Sequence, residues 1–119
     1  MAEAFPLAWP HGYDRTAKYL RGRPKFHTSF TRSRDGILRE LKLLGAEYPV
    51  ISSNVPLRRD GLPYAGQAQP EDTGVAVYFR MDNEGLVLAC DRWDRVEDNM
   101  RAIEMTIDAM RGMERWGVS

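Results

Sequence analysis

Residues 74–90 read G-V-A-V-Y-F-R-M-D-N-E-G-L-V-L-A-C, and the pattern is that of a β-hairpin. Val75, Val77 and Phe79 alternate with Ala76 and Tyr78, the period of two that sends successive side chains to opposite faces of a sheet. Asp82-Asn83-Glu84-Gly85 supplies turn residues with glycine last, which predicts a bulged turn between strands at 74–81 and 86–90. Downstream, Val96, Met100, Ile103, Ile107, Met110 and Met113 recur at spacings of four, three, four, three and three. That is a helical core stripe, opened by Asp94 with Glu97 as a capping pair and stopped near Trp116 by Gly117.

Upstream of the hairpin, Val50 and Ile51 place a short strand at 49–55. Before it, Ile37, Leu38, Leu41 and Leu44 form an apolar stripe that predicts a helix over 29–44 with Gly45 as its C-terminal cap. Gly36 weakens that helix by about 1 kcal/mol relative to alanine. The order helix, strand, strand, strand, helix predicts an α+β fold, a three-stranded antiparallel meander with both helices packed on one face. Ala76, Tyr78, Val87 and Ala89 on the other face are too apolar for open solvent. Either the amino-terminal segment covers them or a second subunit does, so a homodimer is one expectation. Met105, Ala102 and Ala109, off the stripe of the last helix, form a second candidate dimer contact.

With 119 residues, 43% of them hydrophobic and 29% charged, the chain is one domain's worth and neither disordered nor fibrous. Residues 29–119 are expected to form it, with 1–28, punctuated by Pro6, Pro10, Gly12, Gly22 and Pro24, as an extended arm carrying a short helical turn at 14–20. No apolar run approaches the roughly 20 residues of a membrane span, and a lone cysteine, Cys90, excludes a disulfide within the chain. A cytoplasmic protein with no membrane contact is the expectation.

Seventeen basic residues balance seventeen acidic ones, but unevenly along the chain. Residues 1–60 hold 11 Lys/Arg against 6 Asp/Glu, and residues 61–119 hold 6 against 11. Arg15, Lys18, Arg21, Arg23, Lys25, Arg32 and Arg34 follow one another with no acid between, interleaved with Tyr19, Phe26 and Phe30. Basic side chains among aromatics suit a phosphate backbone with stacked bases. The same residues also suit a solvated arm, or one that meets the acidic half of this chain or of a partner.

Two further places suit recognition. The segment 56–73 is long and without periodicity, yet Asp60-Gly61 and Pro63 impose turns, and Arg58, Arg59, Leu62 and Tyr64 offer charged and apolar contacts. The junction 91–95 sets Asp91, Arg92, Asp94 and Arg95 around Trp93 between a strand and a helix. Catalysis is not expected. Cys90 and the two histidines, His11 and His27, have no supporting spacing, and no phosphate-binding glycine loop or metal-ligand pair is present. A divalent ion between Asp60, Asp72 and Asp91, serving a metal-dependent phosphoesterase, is the weakest alternative, and no cofactor is expected.

The stretches E-L-K-L-L-G-A (40–46), I-S-S-N-V-P-L-R-R-D-G-L-P (51–63), G-V-A-V-Y-F (74–79), A-C-D-R-W-D-R-V-E-D-N (89–99) and I-D-A-M-R-G-M-E-R-W-G (107–117) together resemble one family. It comprises small bacterial and phage- or plasmid-borne proteins often described as DnaJ-like or J-domain-containing, and the resemblance runs over 6–119. Such proteins typically continue past the position of Ser119, with the J-like segment in that extension, and no His-Pro-Asp tripeptide occurs here. The resemblance therefore implies the partner-facing half of such a protein, with no residue for stimulating an Hsp70. Residues and resemblance together predict a non-catalytic recognition or adaptor module. It would hold a protein partner, chaperone or host-defence related, through Arg58, Arg59, Asp60, Leu62, Tyr64, Asp91, Arg92 and Trp93. A nucleic-acid-binding accessory protein for replication or recombination, acting through the basic arm, is the alternative.

Overall fold

The computed structural model describes residues 2–23 and 26–118. After a single 3-10 turn at Lys18–Leu20, the elements are α1 (Phe30–Leu44), β1 (Glu47–Ser53), β2 (Val75–Met81), β3 (Glu84–Cys90) and α2 (Val96–Arg115). The sheet order is β1-β2-β3 with both pairings antiparallel, so the three-stranded meander with a helix before and after it is the observed architecture. Val75, Val77 and Phe79 turn toward the helices and join Ile37 and Leu41 of α1 and Val96, Met100, Ile103 and Ile107 of α2 in one buried cluster.

Local chemistry sets most element ends. The Ser29 hydroxyl accepts from the Arg32 N–H at the start of α1, and Gly45 ends it at φ 91°, a left-handed turn that glycine takes without a Cβ clash. Between β2 and β3 the turn is tighter than the glycine suggested. Asp82 and Asn83, at φ 50° and 64°, make a two-residue loop, and Glu84 already pairs with Met81. Two consecutive positive φ values match the right-handed twist of the strands, and Asp and Asn tolerate them best after glycine.

α2 begins one residue later than its sequence suggests, with Arg95 at the cap position and no side-chain cap of its own. The amide oxygen of Gln69, from the distant 56–73 loop, accepts from the Val96 N–H at 2.9 Å, and its amide nitrogen donates to the Glu97 carboxylate. Asp94 is thus displaced as cap, and its backbone N–H bonds the Gly22 carbonyl instead. At the other end of the stripe Met113 is 44% exposed, because α2 outruns the sheet there.

The arm crosses the outer face of the sheet. Ala8 N–H donates to Ser52 Oγ and its carbonyl accepts from the Tyr78 hydroxyl, while the Leu7 N–H bonds Asn54. Ala76 beneath this segment is completely buried. At the hairpin end of that face, Ala2 of the arm joins Tyr48, Val50, Tyr78 and Val87 around an open groove of about 470 Å³.

Candidate functional site

The basic arm ends in the acidic half of the same chain. Arg15 reaches Asp72 at 2.7 Å and Asp91 at 2.9 Å, and Arg21 reaches Asp72 at 2.9 Å and Asp91 at 3.5 Å. Lys18 pairs with Glu71 nearby. Beyond the ion pairs, Gly22 forms a short parallel bridge with Trp93, and Phe26 meets the Trp93 ring edge-on at 5.6 Å between centroids. Burial acts to raise the carboxyls of Asp72 and Asp91, but the hydrogen bonds from Arg15, from Arg21 or Thr16 and from the backbone outweigh it and hold both below the ordinary aspartate value.

The junction 91–95 is tied down at Asp91 and through its backbone, while Arg92, Asp94 and Arg95 remain exposed. Asn99, fully buried on α2, is its centre. Its Oδ1 accepts from the Trp93 N–H at 2.9 Å and from the Cys90 thiol, and its Nδ2 donates to the carbonyls of Thr73 and Trp93. The Thr73 hydroxyl donates to the Trp93 carbonyl at 2.7 Å. Sequence reasoning missed Asn99. Its one signal was a polar residue beside Met100 on the buried stripe of α2, which requires satisfied partners. Arg92 is exposed and Trp93 half-buried, whereas Asp91 is buried.

The 56–73 loop contains a small hairpin of its own. Leu57 bridges Pro63, Arg58 N–H donates to the Leu62 carbonyl at 2.8 Å, and Gly61 turns the chain at φ 80°. Arg58 pairs with Asp60, whose carboxyl is held low by the hydrogen bond from Arg58 and a second from the Leu62 N–H. Leu62 is half-buried, Arg59 exposed and Tyr64, directly after the hairpin, 56% exposed, so the loop presents a cation and an aromatic ring to solvent. The Gln69 cap on α2 anchors the loop's far end.

The structure separates the other candidates. Asp60 lies with Arg58 while Asp72 and Asp91 hold the arm's arginines, and among the described residues no group of three metal-ligating side chains forms. Burial pushes the Cys90 thiol up, which keeps it protonated and bound to Asn99, the opposite of an activated nucleophile. Arg34 pairs with Asp35, Arg23 and Arg32 are exposed, and Lys25 lies outside the described residues. Arg32 lines a groove of about 960 Å³ beside His27, Arg39, Arg101 and Glu104, in which Glu104 takes ion pairs from Arg101 and Arg39.

The chain matches no family model, no curated protein and no solved structure.

Proposed function

We propose that the protein is a non-catalytic recognition module that holds a protein partner through its 56–73 loop. The observation that carries this reading is the loop's construction: a hairpin at 57–63 exposing Arg59, an exposed Tyr64 directly after it, and a far end held by the Gln69 cap. Tyrosine and arginine are residue types enriched in binding hot spots, and the tyrosine gives large contact area for little lost conformational freedom. The junction 91–95 contributes through Arg92 alone, because Asp91 is consumed by Arg15 and Arg21. The DnaJ-like resemblance supplies the partner class, a bacterial protein of the chaperone or host-defence systems, and an adaptor role on a phage or plasmid.

The nucleic-acid alternative loses its main support to the same ion pairs, since Arg15, Lys18 and Arg21 already face carboxylates. Affinity capture from a bacterial lysate, followed by titration of the captured protein, tests the proposal. Tyr64→Ala and Arg59→Ala should each weaken binding roughly tenfold, about 1.4 kcal/mol, while Arg23→Glu and Arg32→Glu leave it unchanged. Binding that ignores Tyr64 and Arg59, or that goes to DNA or RNA with a steep salt dependence, overturns it.

A further inference from the structure

The two edges of the sheet are treated differently. β1 is guarded: Pro49 lies within it, its register shifts between Glu47 and Val50 where Tyr48 takes φ 54°, and the Ala4 carbonyl occupies the Ser53 N–H. β3 carries none of these devices. Its seven residues pair with β2 in unbroken register, and from Gly85 to Cys90 it holds no charge and no proline. Among the described residues, no backbone hydrogen bond reaches the outer side of 84–90. Natural sheets blunt such edges with proline, bulges or charges, because an open run of N–H and C=O groups is a template for another strand.

The geometry points to a second copy of this chain as the occupant of that edge. We propose that β3 pairs antiparallel with β3 of the partner subunit about a two-fold axis at Val87, giving a continuous six-stranded sheet. Three features of the strand suit its own copy. First, β3 spans 84–90 in unbroken register with β2, so Val87 is the midpoint of its free edge. Second, centring on Val87 sets Leu86, which is 38% exposed, opposite Leu88 of the partner subunit, covering an apolar side chain on each copy. Third, Asp82 in the hairpin turn and Arg92 beyond the strand are both exposed and oppositely charged, and the two-fold brings each beside the other on the facing copy. A heterologous peptide would gain the backbone bonds but has no reason to match this charge order. The exposed side chains of the partner-binding loop lie in a different segment, and the two surfaces share only Arg92, so Val87→Lys and hydrogen exchange in 84–90 report on the dimer alone.

Analytical ultracentrifugation of the full chain across concentration, with each variant's fold checked by circular dichroism, tests it. The wild type should sediment as a reversible dimer. Val87→Lys, a charge facing its own copy, should shift the protein to monomer, raising the dissociation constant by roughly tenfold or more. Arg92→Asp should weaken the dimer, and the same change combined with Asp82→Arg should restore it. Hydrogen exchange supplies a readout that does not depend on any variant: protection of amides in 84–90 should rise with protein concentration while that of β1 stays constant. A wild type monomeric at several hundred micromolar, a dimer indifferent to Val87→Lys, or concentration-independent exchange in β3 overturns the proposal.

Discussion

Gly36 of α1 lies directly beneath the carboxyl group of Glu104 on α2: a Cβ built on Gly36 would come within 2.3 Å of the Glu104 carboxyl carbon. The glycine is what lets the two helices close over a buried acid, which is itself held by Arg101 at 3.1 Å and Arg39 at 3.5 Å. Helix propensity alone favours alanine there by about 1 kcal/mol. We expect Gly36→Ala to destabilise nonetheless, because the carboxyl must leave both arginines to make room. In a Glu104→Ala background the same substitution should stabilise by about 1 kcal/mol. A double-mutant cycle by chemical denaturation measures the coupling, and equal effects of Gly36→Ala in both backgrounds would refute it.

The arm's attachment should show in acid. Arg21 and Asp91 each keep only 6% of their side-chain surface exposed, whereas Arg15 keeps 39%. Each arginine removed leaves the buried Asp91 one cationic partner fewer, so Arg21→Met and Arg15→Ala should each cost about 1–2 kcal/mol. Asp72 and Asp91 titrate below their ordinary value in the folded protein. Their contribution is therefore complete above the ordinary aspartate pKa and disappears as pH falls through the lowered one. Denaturant melts at falling pH should show the wild type losing stability in that acid range and Arg15→Ala, which removes the strongest hydrogen bonds on both carboxylates, losing less. Limited proteolysis should cut the arm first in the variant.

These two relationships mark what the sequence discloses and what it hides. Order and type of every element follow from period and punctuation, because Val75, Val77, Phe79 and the 96–107 stripe are local patterns that burial reinforces. Partners far apart in the chain leave no such trace. That Gly36 faces Glu104, or that Arg15 and Arg21 answer Asp72 and Asp91 rather than phosphate, depends on how α1 and the arm pack. The charge asymmetry along the chain offered the intramolecular contact as one choice among three and had no means of selecting it. The 56–73 loop is legible as special from its length, but the burial of Asp91 is not, since burial of a charge is invisible until its counter-charge is placed.

Asp98 offers a stabilisation at neutral pH. It is 1% exposed at the start of α2, and its Oδ1 has no hydrogen-bond partner. Burial raises its carboxyl above the ordinary value, with Glu97 and Asp94 adding to the rise and Arg95 opposing it. A raised folded-state pKa means that folding favours the protonated form, so the ionised group costs stability above that pKa and the cost fades as pH falls toward the unfolded value. Asp98→Asn, which keeps the shape of the side chain and cannot ionise, should stabilise the protein at pH 7. Thermal melts of both proteins from neutral to acid pH should converge as the wild-type carboxyl protonates. Parallel curves would mean that ionisation of Asp98 carries no cost.

Gln69 joins stability to recognition. Its amide oxygen takes the first free N–H of α2, at Val96, while its nitrogen holds Glu97, so one side chain both caps the helix and anchors the loop that presents Tyr64. Cap removal ordinarily costs about 1 kcal/mol, and Gln69→Ala should do so here. Asp94→Ala, at the position the sequence pattern favours for the cap, should cost less than half as much, because its side chain is exposed and α2 has no side-chain cap from its own flank. The loop should respond as well. With its anchor gone, amides in 62–68 should exchange faster, and the affinity for a partner gripped by Tyr64 should fall by several-fold through the entropy of re-ordering the loop. Glu97→Gln, which preserves the oxygen of Gln69 on Val96, should leave both readouts near wild type. If Gln69→Ala weakens α2 while leaving loop exchange unchanged, the cap is structural alone and Tyr64 is positioned by the Leu57–Pro63 bridge instead.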